Sequence, residues 1–155
     1  MIVWRIAAET PAYSADDLSG EGTRRSGGRW NRKGLAMVYC SRSVALAVLE
    51  TVVHLGQEGL PLNRFLVEID IPDPLWDARQ AVDKHSAPGG WDAIPAGTAS
   101  ISFGSNWLGS VSSALLEVPS VIVPEESNVL LNPLHPDASA IGSRIVRRWQ
   151  YDQRI

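Results

Sequence analysis

Apolar residues along this chain come in short blocks separated by glycine, proline and polar clusters, a pattern that predicts many short strands and few helices. Ile2 to Ile6 is the first β-rich block, closed by Thr10-Pro11 and a polar stretch through Gly20 and Gly22. Arg24 to Gly34 is punctuated by glycines and predicts a loop or strand edge, followed by a strand-like run from Leu35 to Cys40. Arg64 to Ile71 alternates as a further strand, ended by Pro72 and Pro74. The stretch from there to Gly97 is rich in turn formers and predicts a long surface excursion with one short helix near Trp76 to Val82. Val118 to Val123, Val129 to Leu131 and Ile145 to Tyr151 complete the predicted strands.

One block departs from that pattern. Nine of the twelve positions from Val44 to Leu55 are apolar, with Ser43 before them as an N-cap and Gly56 where a left-handed C-terminal residue belongs. This predicts a helix that is apolar nearly all round and largely buried. Its polar residues are Glu50, Thr51 and His54, and Glu50 and His54, four apart, share a face. A carboxylate on such a helix is costly to desolvate unless a partner compensates, either an arginine in a structural ion pair or a ligand. Taken together, short strands flanked by one or two helices indicate an α+β fold.

A chain of 155 residues with 45% hydrophobic and 20% charged residues fits a single folded domain spanning 1–155. Its formal charge of -3 argues against sequence-independent nucleic-acid binding, which rests on a clearly basic surface. The lone Cys40 can form neither an internal disulfide nor a paired-thiolate zinc site, which fits a reducing compartment. The apolar runs fall well short of the roughly 18 residues that suggest a membrane span. With no secretory pattern at Met1 to Glu9, the expected location is cytoplasmic.

The distribution of charge says more than its sum. Residues 24–42 hold Arg24, Arg25, Arg29, Arg32, Lys33 and Arg42 and no acid, six of the 14 bases in one segment. Such an island suits an anionic ligand, with glycines that permit close backbone approach and arginines that grip phosphate oxygens; a solvated basic loop is the plainer alternative. Trp30, inside the island, is the tryptophan best placed to contact a ligand. His54, His85 and His135 lack metal-ligand spacing, so no metal site is expected, and the chain has no P-loop, full GxGxxG, HExxH or GxSxG motif.

With these residues in view, the chain resembles the RES-domain toxins of bacterial toxin–antitoxin modules, named for their arginine, glutamate and serine. The resemblance runs end to end. It is carried by Gly27-Gly28-Arg29-Trp30-Asn31 with Gly34, by Val38-Tyr39, and by Ala45 to Glu50 with Val53-His54. It continues through Gly104 to Leu108, Val118-Pro119-Ser120, Val123-Pro124 and Asn128 to Pro136. It implies a fold similar to ADP-ribosyltransferases and a catalytic set of Arg29, Tyr39, Glu50 and Ser120. Trp30, Asn31, His54 and Asn128 would bind NAD, which is consumed as a substrate, with no other cofactor and no metal. It further implies an Xre-type antitoxin that blocks the NAD cleft, and growth arrest through NAD depletion.

The implied reaction breaks the nicotinamide–ribose bond, where a fixed carboxylate such as Glu50 would stabilise the oxocarbenium character of the ribose. Arg29 would engage phosphate or ribose oxygens, Tyr39 the nicotinamide, and Ser120 the ligand by a hydrogen bond. Water, phosphate or a protein side chain could accept the ADP-ribosyl group, giving hydrolysis, phosphorolysis or ADP-ribosyl transfer. The first two are the leading expectation and the third the alternative. A reading of another class, a non-catalytic nucleotide or phosphate binder, is disfavoured by Glu50, since a carboxylate beside a bound anion weakens binding.

Overall fold

The computed structural model describes residues 1–56 and 59–155. One seven-stranded sheet organises them: β1 (Ile2–Ala8), β2 (Val38–Ser41), β3 (Arg64–Asp70), β4 (Gln80–Ala81), β5 (Leu115–Pro119), β6 (Ser127–Leu131) and β7 (Gly142–Trp149), in the spatial order β4-β5-β6-β2-β1-β3-β7. All neighbours are antiparallel except the short β4, which runs parallel to β5. Helices α1 (Glu21–Ser26), α2 (Val44–Val52), α3 (Asp73–Asp77) and α4 (Thr98–Ser110) join or cover it, with a 3₁₀ turn at Pro136–Ala140. The α+β class expected from the strand pattern is the observed one.

Side-chain alternation along the strands divides the core in two. On one face Val3, Val38, Cys40, Val67, Ile69, Leu115, Val129 and Leu131 pack together, with Trp76 of α3 against them. The other face carries two separate apolar clusters. Trp107 and Leu108 of α4 meet Leu116, Val118 and Leu130, while Ala47, Val44 and Val48 of α2 meet Ile6 and Leu66. The strip of sheet between α2 and α4 is polar: Ser41 pairs in register with Asn128 on one side and Trp4 on the other.

Several expected elements shift, each for a local reason. Helix α2 ends at Val52; its C-cap Val53 stays right-handed, and Gly56 does not adopt a left-handed conformation. Only Leu46 and Ala47 of this helix are fully buried, while Leu49 is 40% and Val53 56% exposed, because the sheet covers one side alone. The Leu35 to Cys40 strand contracts to Val38–Ser41: the Leu35 N–H turns back to the Arg32 carbonyl, and the Met37 N–H is taken by Thr23 Oγ1. Strand β5 begins earlier than Val118 and ends at Pro119, where the Ser120 N–H bonds to the Glu126 carbonyl and opens a loop. The short helix near Trp76 lies at Asp73–Asp77, capped by proline at its first turn, and residues expected to extend it form β4.

Helix α4 is absent from the hydrophobic pattern because its buried positions, Ser100, Gly104, Ser105, Trp107 and Leu108, are mostly small or polar. Gly104 is required there: a Cβ at this position would collide with the Trp30 carbonyl. Helix α1 likewise falls inside what reads as loop, since Gly20 and Gly27, both at positive φ, bracket it.

Candidate functional site

The polar strip between α2 and α4 gathers four side chains. Glu50 reaches it from the last turn of α2, a helix capped at its other end by the Ser43 hydroxyl, which accepts from the Leu46 N–H at 3.1 Å. Ser120, fully buried, donates to Glu50 Oε1 at 2.8 Å, and Asn128 Nδ2 donates to the same oxygen at 2.5 Å. Ser41 then donates to Asn128 Oδ1 at 2.7 Å. No hydrogen bond among the described residues engages Glu50 Oε2, and no cation among them pairs with this carboxylate.

The proton inventory shows how Ser120 is engaged. Its oxygen already accepts from the Ile122 and Val123 N–H groups at 3.1 and 3.2 Å, and its single proton goes to Glu50. A hydroxyl has one donor and two acceptor sites, so all three are committed. Ser120 therefore holds Glu50 in this arrangement, with no hydrogen-bonding position left over for the ligand contact expected of it.

A second set is centred on Tyr39, two residues before Ser41 on the same strand and hence on the same face, about 7 Å along it. The Tyr39 hydroxyl donates to Asn31 Oδ1 at 2.7 Å and accepts from the Trp30 N–H at 2.9 Å. Burial pushes the phenol well above its ordinary range, so it stays protonated and keeps this geometry. Asn31, itself buried, passes the constraint on by donating to the Leu35 carbonyl at 2.8 Å and the Thr23 carbonyl at 3.2 Å. Gly28 is obligatory beside them, since an added Cβ would sit 2.6 Å from the Tyr39 hydroxyl. Arg29 is held by one nitrogen, Nη1, which donates to the Trp91 and Ala93 carbonyls at 2.9 and 2.8 Å.

Two of the expected ligand contacts sit elsewhere. Trp30 is 3% exposed, stacked on Trp91 at 6.5 Å and edge-on to Phe103, which makes it a core residue closing the α4 cluster. Its place in the basic segment suggested a ligand contact, and apolar packing has taken the ring instead. His54 lies beyond the end of α2, in a turn closed by its own N–H to the Thr51 carbonyl, and is exposed. The Glu50–His54 stripe does not form because the helix stops two residues before His54.

The basic island is also less open than its sequence suggests. Glu21, just upstream, binds Arg24 at 2.6 Å and Arg25 at 2.8 Å, and those hydrogen bonds hold its carboxyl at about 2. Arg42 pairs with Glu117 at 2.9 Å on the opposite sheet face, and Arg32 donates to Ser102. Arg29 is left as the member of the island adjoining the Tyr39 set. Cys40 packs on the far face, where burial pushes its thiol up to about 12 and removes it from nucleophilic chemistry.

Among the described residues no group of three or more His, Cys, Asp or Glu side chains is placed to hold a metal ion. No helix among them is long and apolar enough to cross a membrane. Two surface concavities, of about 250 and 330 Å³, are lined by residues around Leu18 and Ile141 and around Val52 and Leu60, and neither includes a candidate site residue. Ser41 escaped the sequence reading altogether. Its only signal there is the period-two spacing from Tyr39, which has meaning once β2 is known to face the site.

The RES domain model matches residues 2–153. A protein of Sphingobium sp. (strain YBL2) named Prs ADP-ribosylating toxin is 58% identical over 152 residues, covering 98% of this chain and 94% of its own. A Yersinia enterocolitica protein named Toxin Res is 42% identical over 136 residues, covering 87% and 86%. Among solved structures, the Mycobacterium tuberculosis MbcT–MbcA toxin–antitoxin complex contains a chain that superposes with a TM-score of 0.65 at 16% identity, over 94% of this chain and 84% of that one.

Proposed function

This chain belongs to the RES-domain family of toxins, and we propose that it cleaves the nicotinamide–ribose bond of NAD and transfers the ADP-ribosyl group to a protein side chain. The observation that carries the reading is the state of Glu50: a carboxylate fixed at one oxygen by two neutral donors and paired with no cation among the described residues. As the C1′–N bond breaks, nicotinamide leaves with the electron pair and positive charge grows on the ribose ring. A carboxylate without a permanent counter-charge stabilises that transient cation more than the ground state, which is what lowers a barrier. Ser120 and Asn128 fix its position, so little reorganisation is needed when charge develops.

Arg29, held at one nitrogen by two backbone carbonyls, is the cation we assign to the pyrophosphate or ribose oxygens. Tyr39 and Asn31 serve by setting the Gly28 to Trp30 loop on which Arg29 stands. NAD enters as a substrate, in the cytoplasm, and an Xre-type antitoxin covering the strip between α2 and α4 would hold the toxin inactive. The RES relative named as ADP-ribosylating is 58% identical over nearly its whole length, and this favours a protein acceptor. Water or phosphate as acceptor is the second reading, since the oxocarbenium step is common to all three and the relative's name bears only on the choice of acceptor. A non-catalytic phosphate binder fits less well because Arg24, Arg25 and Arg42 already have carboxylate partners.

The test is incubation of the purified protein with labelled NAD and Prs, the protein that the name of the 58% identical relative gives as the one ADP-ribosylated, beside Glu50→Gln. Label on Prs that disappears in the variant supports transfer. Free ADP-ribose or its phosphorylated form without labelled Prs would establish the second reading, and no nicotinamide release under any condition would remove NAD cleavage.

A further inference from the structure

We infer that Ser41 is a positioning residue for Glu50, acting through the Asn128 amide; this rests on the proposed role of Glu50 in NAD cleavage. Asn128 presents chemically opposite ends, and the one that meets a carboxylate must be the NH₂ group, since an amide oxygen there would be repelled. With Nδ2 committed to Glu50 Oε1, the Oδ1 end turns toward β2, where the Ser41 hydroxyl donates to it at 2.7 Å. Ser41 is only 3% exposed, so water does not readily take over this bond. Removing the hydroxyl leaves the amide tethered at one end alone.

The location of Ser41 makes this more than one bond in a core. Ser41 ends β2, Arg42 and Ser43 link it to α2, and each of the three is tied to a different part of the fold. Ser41 holds Asn128 of β6, Arg42 holds Glu117 of β5 from the other face, and Ser43 caps α2 while donating to Glu126 Oε2 at 3.3 Å. Glu50 lies two turns along the helix that starts there. Of the three ties, the Ser41 one alone continues by hydrogen bonds to the Glu50 carboxylate. Ser120 restrains the same oxygen from β5's end, so Oε1 is fixed from both sides and Oε2 keeps a defined position.

Ser41→Ala, Ser41→Thr and Glu50→Gln in the full chain test this by initial rates of nicotinamide release and by the Asn128 side-chain amide signals in a ¹⁵N–¹H spectrum. Hydrogen-bond partners that orient metal ligands typically contribute about 10- to 100-fold, and the lower end of that range is taken for a bond that orients Glu50 through Asn128. In Ser41→Ala kcat should therefore fall about tenfold with KM for NAD within about twofold of wild type, while Ser41→Thr, which keeps the hydroxyl, should stay close to wild type. The double variant Ser41→Ala/Glu50→Gln should be no slower than Glu50→Gln, because both act through one carboxylate. A folded Ser41→Ala with wild-type kcat, or a loss confined to KM, would overturn the assignment. Should the alanine variant not fold, Ser41→Cys, which keeps the volume and weakens the donor, carries the same test.

The spectrum separates failure of this inference from failure of the NAD reading. Asn128 amide signals that shift in both Ser41→Ala and Glu50→Gln support the relay whatever the reaction is. Signals unmoved by Ser41→Ala overturn it even in an active enzyme. Absence of nicotinamide release in wild type removes the catalytic meaning of the relay, and with it the positioning role.

Discussion

Glu50 and Glu117 are two carboxylates on opposite faces of one sheet, and the protein treats them differently. Glu117, on β5, has both oxygens occupied: Arg42 at 2.9 Å on one, Arg79 at 2.7 Å on the other. Both guanidinium groups lie over Trp76, at 5.1 and 4.0 Å from the ring. Burial pushes the Glu117 carboxyl up, the hydrogen bonds from Arg79 and Arg42 more than reverse this, and the net position is below the ordinary range. Among the described residues Glu50 receives only a hydroxyl and an amide, both on one oxygen. Cationic partners complete a charge and make it structural, whereas neutral donors fix a carboxylate in place and leave its charge available to a further cation, such as the transient one in the proposed reaction.

That contrast can be broken from either side. The largest effect is expected from Glu50→Gln: nicotinamide release should drop by about 10²- to 10³-fold, the range for removing one preorganised electrostatic group, with thermal unfolding nearly unchanged. A variant that fails to fold would instead make Glu50 a structural residue like Glu117. Glu117→Gln should do the reverse, lowering stability by about 1–3 kcal/mol, less than a fully buried pair because Arg42 and Arg79 keep part of their hydration, while activity per folded molecule is retained. Chemical denaturation and active-site titration measure the two quantities separately.

The pH dependence sharpens the same point. A carboxyl whose folded-state pKa is lowered adds stability above its unfolded value, near the ordinary carboxylate pKa, and that contribution is lost as pH falls through the depressed folded value. Wild type and Glu117→Gln should therefore differ at neutral pH and converge in acid, as denaturation midpoints across that range would record. Arg29→Ala is expected to weaken NAD binding about tenfold, in keeping with loss of a charge-assisted hydrogen bond; unchanged affinity by calorimetry would place Arg29 outside the ligand contacts. The smallest effect concerns Cys40, whose raised thiol should resist iodoacetamide at pH 8 until the protein is unfolded.

How far the sequence reveals this depends on the kind of signal each part carries. The strands β1, β3 and β6 and the start of α2 were legible because their apolar blocks and the Ser43 cap are local features. Helix α4 was not, since Ser100, Gly104 and Ser105 line its buried face and only the approach of Trp30 explains a glycine there. Glu50 could be singled out as an acid on an apolar helix, but its partners were open between an arginine and a ligand. Arg24, Arg25 and Arg42 in fact went to Glu21 and Glu117, and the neighbours of Glu50 come from 70 and 78 residues further along the chain. Trp30 shows the opposite failure: sequence proximity to basic residues suggested a ligand, while three-dimensional packing against Trp91 and Phe103 decided its place. Ser41 could be recognised only after the pleat of β2 and its register with Asn128 were known.

The most direct measurement is nicotinamide release from NAD by wild type, Glu50→Gln and Glu117→Gln, each purified free of antitoxin, supplied with Prs, and shown to be folded. The expected result is release by wild type, release by Glu117→Gln in proportion to its folded fraction, and loss in Glu50→Gln. Equal release by wild type and folded Glu50→Gln would contradict the central claim, the proposal that this carboxylate, paired with no cation among the described residues, stabilises a transient cation.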